Sequence, residues 1–159
     1  MFKSRRLKVV IIAFICLVML PIFYGIFVKV RLVQWEREYI LAKQTWDDHH
    51  ISHYWFLVDT HICGAIDYRI VRYEVKNGTT ISTSNANTHE EIHDRCPERF
   101  NSIDKIFATI DSSIKYHADR LIVEYDPSYG YPKTVDYDLR REVEYEESAF
   151  EITDFGVLP

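Results

Sequence analysis

The chain has 159 residues, of which 47% are hydrophobic and 14% aromatic, a length and composition that suit one small packed domain. Six of its 19 Lys and Arg side chains lie in residues 1–31, where there is no acidic residue. The other 13 Lys and Arg side chains and all 24 Asp and Glu side chains lie in residues 32–159, which therefore carry a net charge of −11. A domain this acidic is repelled by phosphate backbones and anionic lipid headgroups, which argues against a nucleic-acid partner.

An uncharged run of 20 residues, at positions 9–28, predicts a transmembrane anchor. At about 1.5 Å of rise per residue, such a helix spans a hydrocarbon core of roughly 30 Å. Four basic side chains precede it, so residues 1–8 are predicted to be a cytoplasmic tail of a cell-membrane protein, with the rest of the chain periplasmic or extracellular. A cleaved signal peptide is the alternative, but Ile26-Phe27-Val28 lacks the small residues of a cleavage site.

Residues 29–46 are predicted to continue outward as a juxtamembrane helix. Trp35, Tyr39, Ala42 and Trp46 recur at helical spacing and define one apolar face of it. Residues 47–159 are then predicted to form the extracytoplasmic domain.

This domain is predicted to contain three strands, a helix and three further strands. Alternating side chains predict strands over 54–59 and 71–75, and Asn77-Gly78, typical of a type I′ hairpin turn, returns the chain as a strand over 79–83. Ser102 is the expected N-cap of a helix with an apolar face from Ile103 to Ile114. Strands over 120–125, 135–139 and 150–154 follow. The order indicates an α+β fold of antiparallel sheet and two helices, as two αβββ units in tandem.

Several short motifs follow one another along this domain: Trp46, Ile51-Ser52-His53-Tyr54, Cys63 and the Asn77-Gly78 turn. The most specific is Tyr-Asp-Pro-Ser-Tyr-Gly-Tyr-Pro at 125–132, after a short strand that begins near Ala118. With these motifs, residues 42–155 resemble a bacterial family known as domain of unknown function 6174. The resemblance implies an extracytoplasmic α+β domain, often on a lipoprotein or membrane anchor. It implies no activity, because none is established for that family.

Two cysteines, Cys63 and Cys96, lie in the part predicted to be exported, where disulfides persist. We expect them to form a disulfide that stabilises the domain by roughly 3–4 kcal/mol in the chain-entropy model. Two separate thiols are the alternative. Many members of the resembling family carry their second cysteine close to the first, and this chain departs from that pattern.

A short segment, His89-Glu90-Glu91-Ile92-His93, matches the H-E-x-x-H pattern of zinc hydrolases. On a helix, His89 and His93 would face one way and bind zinc, with Glu90 as general base. The segment is polar and Pro97 limits its helix, so a chance match in an exposed loop is the favoured interpretation and no cofactor is expected.

The loop after the fourth strand is the preferred candidate for an interaction site. Tyr125, Asp126, Tyr129, Gly130 and Tyr131 crowd into it, and exposed tyrosines suit recognition of a partner. The alternative is that the loop makes a tight connection whose tyrosines cover the edge of the core. Asp136 and Asp138 share one strand face nearby, without the spacing of a calcium loop.

The favoured function is a non-enzymatic interaction or structural module of the cell envelope, bound to the bilayer through residues 9–28 and to an unknown envelope protein. A zinc hydrolase and a periplasmic inhibitor or immunity-type protein are the alternatives, the last by analogy of fold alone.

Overall fold

The computed structural model describes residues 2–60, 70–92, 100–140 and 147–159. Helix and strand bounds are as follows: α1 Phe2–Asp48, β1 His53–Thr60, β2 Ile70–Lys76, β3 Thr79–Asn85, α2 Ile103–Lys115, β4 Arg120–Tyr125, β5 Pro132–Asp138 and β6 Glu147–Val157. This order, a long N-terminal helix, three strands, a second helix and three strands, confirms the predicted α+β class and its αβββ succession.

The chain divides into two compact units, Met1–Trp35 and Glu36–Pro159. The first unit is the early part of α1. From Ile15 to Phe27 its side chains are exposed to solvent, although most of them are large and apolar. This helix segment is apolar on all sides and buries none of these side chains, and it has the length and composition to cross a membrane. Near the end of the unit the Arg31 guanidinium lies 4.6 Å from the ring centre of Trp35.

The second unit is built on one six-stranded sheet with the order β3-β2-β1-β6-β5-β4. Every neighbouring pair is antiparallel, so the two three-stranded meanders join where β1 pairs with β6. A bulge between Leu57 and Val58 leaves Thr153 as an extra residue in β6. Because the bulge shifts the register by one residue, Phe155 lies opposite Phe56 and on the same face of the sheet.

The last turns of α1 and the whole of α2 pack on one face of this sheet. Ala42 and Trp46 are buried, and the Trp46 ring meets the rings of Tyr54 and Phe155 edge to face, at centroid distances of 5.3 and 5.9 Å. Of the predicted apolar face of the juxtamembrane segment, Ala42 and Trp46 therefore belong to the core of the domain.

Helix α2 begins where the sequence predicted. Its N-cap Ser102 accepts a hydrogen bond from the backbone N–H of Lys105, and its apolar stripe is buried at Ile103, Ile106, Phe107 and Ile110. The Tyr54 hydroxyl of β1 accepts a second first-turn N–H, from Ile103, at 3.0 Å. The predicted hairpin turn is also present, since Asn77 and Gly78 both have positive φ, 52° and 74°.

Candidate functional site

The loop between β4 and β5, residues 126–131, is held in shape by its own hydrogen bonds, and we call it the Tyr-rich loop. One carboxylate oxygen of Asp126 accepts from the backbone N–H of Ser128 and of Tyr129, at 2.9 and 2.8 Å. The backbone of Asp126 also donates to Tyr131 and accepts from Gly130, both at 2.8 Å. These bonds close the loop into a tight turn in which Gly130 takes the left-handed φ of 79°.

Most of the tyrosine surface in and beside this loop faces the core. Tyr131 is buried and stacks on Phe155 at 4.7 Å, and burial raises the pKa of Tyr131 to about 12. Tyr129 is half-buried and lies 5.2 Å from Phe155. Tyr125 is half-buried and stacks on Phe107 of α2. The loop therefore covers the edge of the core, and its exposed residues are Pro127 and Ser128.

The face of the sheet opposite the helices carries a row of carboxylates across three strands. We call Asp59, Glu151, Asp136 and Asp138 the acidic strip. Asp59 of β1 lies directly opposite Glu151 of β6, and Asp136 and Asp138 follow on β5. Asp59, Asp136 and Glu151 border a shallow depression of about 220 Å³, lined also by Thr134 and Ala149.

Strand β4 supplies a cationic neighbour for the acidic strip. Arg120 of β4 approaches one oxygen of Asp136 at 2.9 Å. One carboxylate oxygen of Asp59 and one of Asp138 are buried and lack a hydrogen-bond partner within the described part of the chain. Both oxygens are shielded from solvent, so a donor from another molecule has to reach the other oxygen of each carboxylate.

A second group of side chains on the same face lies over β1, β2 and β6. The indole of Trp55 covers Gly156 so closely that a Cβ there would lie 2.5 Å from Nε1 of the ring, and the guanidinium of Arg72 lies 5.0 Å from the ring centre. His53 contacts the Glu74 carboxylate through Nε2 at 2.9 Å. That hydrogen bond, with help from Arg72, holds the pKa of the Glu74 carboxyl below its usual range.

The family model described as a family of unknown function, DUF6174, matches residues 38–157. The chain belongs to the DUF6174 family. The resemblance read from the Tyr-Asp-Pro-Ser-Tyr-Gly-Tyr-Pro segment is thereby confirmed. Searches of curated proteins and of solved structures each found no significant match.

The DUF6174 match begins inside α1, within the 29–46 segment that was predicted to be a juxtamembrane helix. The compact unit that starts at Glu36 agrees with it. The ring of Tyr39, on α1, packs on the ring of Phe107 of α2 at a centroid distance of 5.8 Å, which joins this end of α1 to the domain. The last turns of α1 are therefore part of the DUF6174 domain.

The described residues of the H-E-x-x-H segment are not helical. His89 has a left-handed φ of 60°, Glu91 forms an isolated antiparallel bridge with Ser84, and Ile92 donates to the Thr83 carbonyl at 2.9 Å. The segment up to Ile92 thus runs along the edge of β3, where the helical face needed to bind zinc is missing. His93 lies outside the described residues.

Other predicted sites have different outcomes. Cys63 and Cys96 lie outside the described residues, so their disulfide stays a prediction. Over the ranges that are described, no group of three or more His, Cys, Asp or Glu side chains has the geometry to hold a metal ion. The acidic strip is the feature that sequence reasoning missed, although the alternation of Asp136 and Asp138 in β5 was a partial signal for it.

Proposed function

We propose that the protein is a membrane-anchored, non-enzymatic interaction module of the bacterial cell envelope. Residues 9–28 anchor it in the bilayer, the basic N-terminus stays in the cytoplasm, and the DUF6174 domain lies outside. Three observations support this arrangement: the exposed apolar helix, the basic residues that precede it, and the net negative charge of residues 32–159.

The face of the sheet opposite the helices carries the proposed interaction. None of the described elements covers it, and we call it the open face. The other face is covered by α1 and α2, whereas the open face presents half-exposed Leu57 and exposed Ile122 beside the acidic strip. Ile122 of β4 lies directly opposite Asp136 of β5, so apolar and acidic side chains alternate within one small area. Such a mixture of apolar centre and polar surroundings is typical of specific protein interfaces.

The charge of this face selects the chemistry of the partner. The acidic strip offers four carboxylates on this face, from Asp59, Asp136, Asp138 and Glu151. Arginine is the side chain that binds carboxylates through two parallel hydrogen bonds. We therefore propose a protein partner that lays a segment bearing Arg or Lys, with an adjacent apolar side chain, across the acidic strip.

In-cell photo-crosslinking tests this proposal. A photoreactive phenylalanine analogue is placed at Ile122, on the open face, or at Tyr116, which is also solvent-exposed, at the end of α2 on the helix side. We expect a discrete adduct of the full chain with an envelope protein from position 122 and none from position 116.

A charge control sharpens the result. Asp136→Asn together with Asp138→Asn removes two charges from the strip, whereas Asp104→Asn removes one from the exposed first turn of α2. The adduct from position 122 should weaken with the first change and persist with the second. Equal adducts from both crosslinking positions, or an adduct indifferent to the loss of the strip charges, would contradict the proposal.

A further inference from the structure

Strand β4 forms one edge of the sheet, since it pairs with β5 on one side and lies last in the strand order. The opposite edge, β3, is partly covered, because Glu91 bridges to Ser84 and Ile92 donates to the Thr83 carbonyl. No described element pairs with the outer side of β4 in this way. An edge strand presents a row of unpaired backbone N–H and C=O groups, so β4 can accept a further strand.

The side chains of β4 alternate between the two faces of the sheet. Arg120, Ile122 and Glu124 lie on the open face, and all three are exposed, Ile122 by 53%. Leu121 and Val123 lie on the covered face, where the first is buried and the second half-buried. The open face of β4 therefore presents a basic, an apolar and an acidic side chain in succession.

This succession is complementary to itself when two strands run in opposite directions. In an antiparallel pair of β4 strands centred on Ile122, Arg120 of each copy lies opposite Glu124 of the other. The two Ile122 side chains lie side by side between these charge pairs. On the covered face, Leu121 of each copy lies opposite Val123 of the other. Opposite charges and apolar side chains that face each other across two strands stabilise a sheet.

Neighbouring registers lose this match. A shift by two residues, which keeps the faces of the two sheets aligned, places Ile122 opposite either Arg120 or Glu124. The bulge of β4 lies between Glu124 and Tyr125, beyond the matched segment. Charged side chains on an edge strand normally discourage pairing, and in β4 their order makes an exception for a second copy in one register.

We propose that two copies of this chain pair through β4, so that their sheets join into one continuous antiparallel sheet. The contact between two short strands is small and therefore weak between free molecules. Copies anchored in one bilayer are confined near each other, which raises their effective concentration, and in this respect the pairing rests on the proposed anchor. It needs no protein bound to the acidic strip, so it can fail independently of that interaction.

Oxidative crosslinking of the full chain in washed membranes tests the pairing. Ile122→Cys places two thiols opposite each other at the centre of the pair, where copper phenanthroline can join them. Ile81→Cys is the matched control, because Ile81 is 54% exposed and lies in β3, the opposite edge strand. The wild-type chain gives the background from its own cysteines. We expect a product of twice the chain mass from Ile122→Cys and none above background from Ile81→Cys.

Charge reversal in the Ile122→Cys chain tests the register. Glu124→Arg sets like charges opposite each other at both charge pairs, and so does Arg120→Glu. Each variant alone should therefore give about tenfold less dimer. When the two variants are co-expressed with different tags, opposite charges face each other again and a mixed dimer should form. The mixed dimer also shows that both variants fold.

Three results would overturn the proposal: equal dimer from Ile122→Cys and Ile81→Cys, a dimer that neither charge reversal weakens, or no mixed dimer from the co-expressed variants. A chain that stays in the washed membranes without forming a dimer refutes the pairing alone. A chain lost from the membranes refutes the anchor of the proposed function, and with it the confinement on which the pairing depends.

Discussion

Gly130 is the point at which the Tyr-rich loop comes closest to α1, and its replacement by alanine tests how that contact stabilises the domain. A Cβ at this position would overlap the carbonyl oxygen of Ala42 and would lie 2.8 Å from Cβ of Thr45 and 3.0 Å from the backbone nitrogen of Trp46. Two of these atoms belong to the backbone of a helix, so they cannot move aside cheaply. The φ of 79° adds backbone strain for any residue with a Cβ.

The two costs can be estimated separately. A non-glycine residue with left-handed φ costs about 1 kcal/mol or more, and forcing an extra methyl group into a packed contact costs roughly 1–3 kcal/mol. Gly130→Ala should therefore lower the free energy of unfolding by about 2–4 kcal/mol. Gly78→Ala is the matched control, because its φ is 74° but its Cβ would meet only Asp104 Oδ2, at 3.9 Å. The control should lose only about 1 kcal/mol.

Urea unfolding of the full chain in nanodiscs, followed by tryptophan fluorescence, measures both values. Trp46 is a suitable reporter, since it is buried at the same contact. If Gly130→Ala is no more destabilising than Gly78→Ala, the close approach between the loop and α1 is not present, and the structural account of the Tyr-rich loop is wrong.

Three further predictions concern single side chains. They are checked by urea unfolding of the full chain in nanodiscs, followed by circular dichroism because Trp46→Ala removes the fluorescent reporter. Tyr54→Phe leaves the buried first-turn N–H of Ile103 without an acceptor and should lower the free energy of unfolding by about 1–3 kcal/mol. Tyr137→Phe removes a hydroxyl that has no partner in the described part of the chain, so it should be neutral or slightly stabilising. The opposite ranking would contradict both assignments. Trp46→Ala should cost about 3–5 kcal/mol, since it empties the space between α1 and the sheet, and a loss below about 1 kcal/mol would show that α1 does not pack there. The hydrogen bond from His53 lowers the pKa of the Glu74 carboxyl, so the ionised form of Glu74 favours the folded state. The wild type should therefore have a higher free energy of unfolding than Glu74→Gln at neutral pH, and this difference should fade as the pH falls below 4.5, the usual pKa of a glutamate. A difference that grows in acid would reverse the sign of this linkage.

Features set by local sequence could be predicted before the structure was known. The long apolar N-terminal helix follows from an uncharged run of helical length. The hairpin follows from the positive φ that Asn77-Gly78 tolerates, and α2 from its N-cap Ser102 and the spacing of its isoleucines. Each of these depends on residues within a few positions of one another, which is the distance over which propensity and periodicity are informative.

Features set by long-range pairing could not be predicted in this way. Nothing in the alternation of β1 or β6 says that these two strands pair, and that pairing is what brings Asp59 beside Glu151. The cavity of about 340 Å³ between α2 and β5 also depends on long-range packing, because its lining residues Ala108, Ser112 and Leu139 meet only when the helix lies across the strand. The segment at 89–92 matches a pattern that binds zinc when it lies on a helix, whereas its backbone hydrogen-bonds to β3.

The proposed function depends most on which side of the membrane the DUF6174 domain occupies. Cysteine accessibility in intact cells measures this directly, with Ser128→Cys in the exposed tip of the Tyr-rich loop, Ser4→Cys in the N-terminal tail, and the wild-type chain as the background for its own thiols. A membrane-impermeant maleimide should label the Ser128→Cys chain at full length, and should label the Ser4→Cys chain only after the cells are permeabilised. Labelling of Ser4→Cys alone in intact cells, or loss of the N-terminal segment from the mature chain, would contradict an uncleaved anchor with an outward-facing domain.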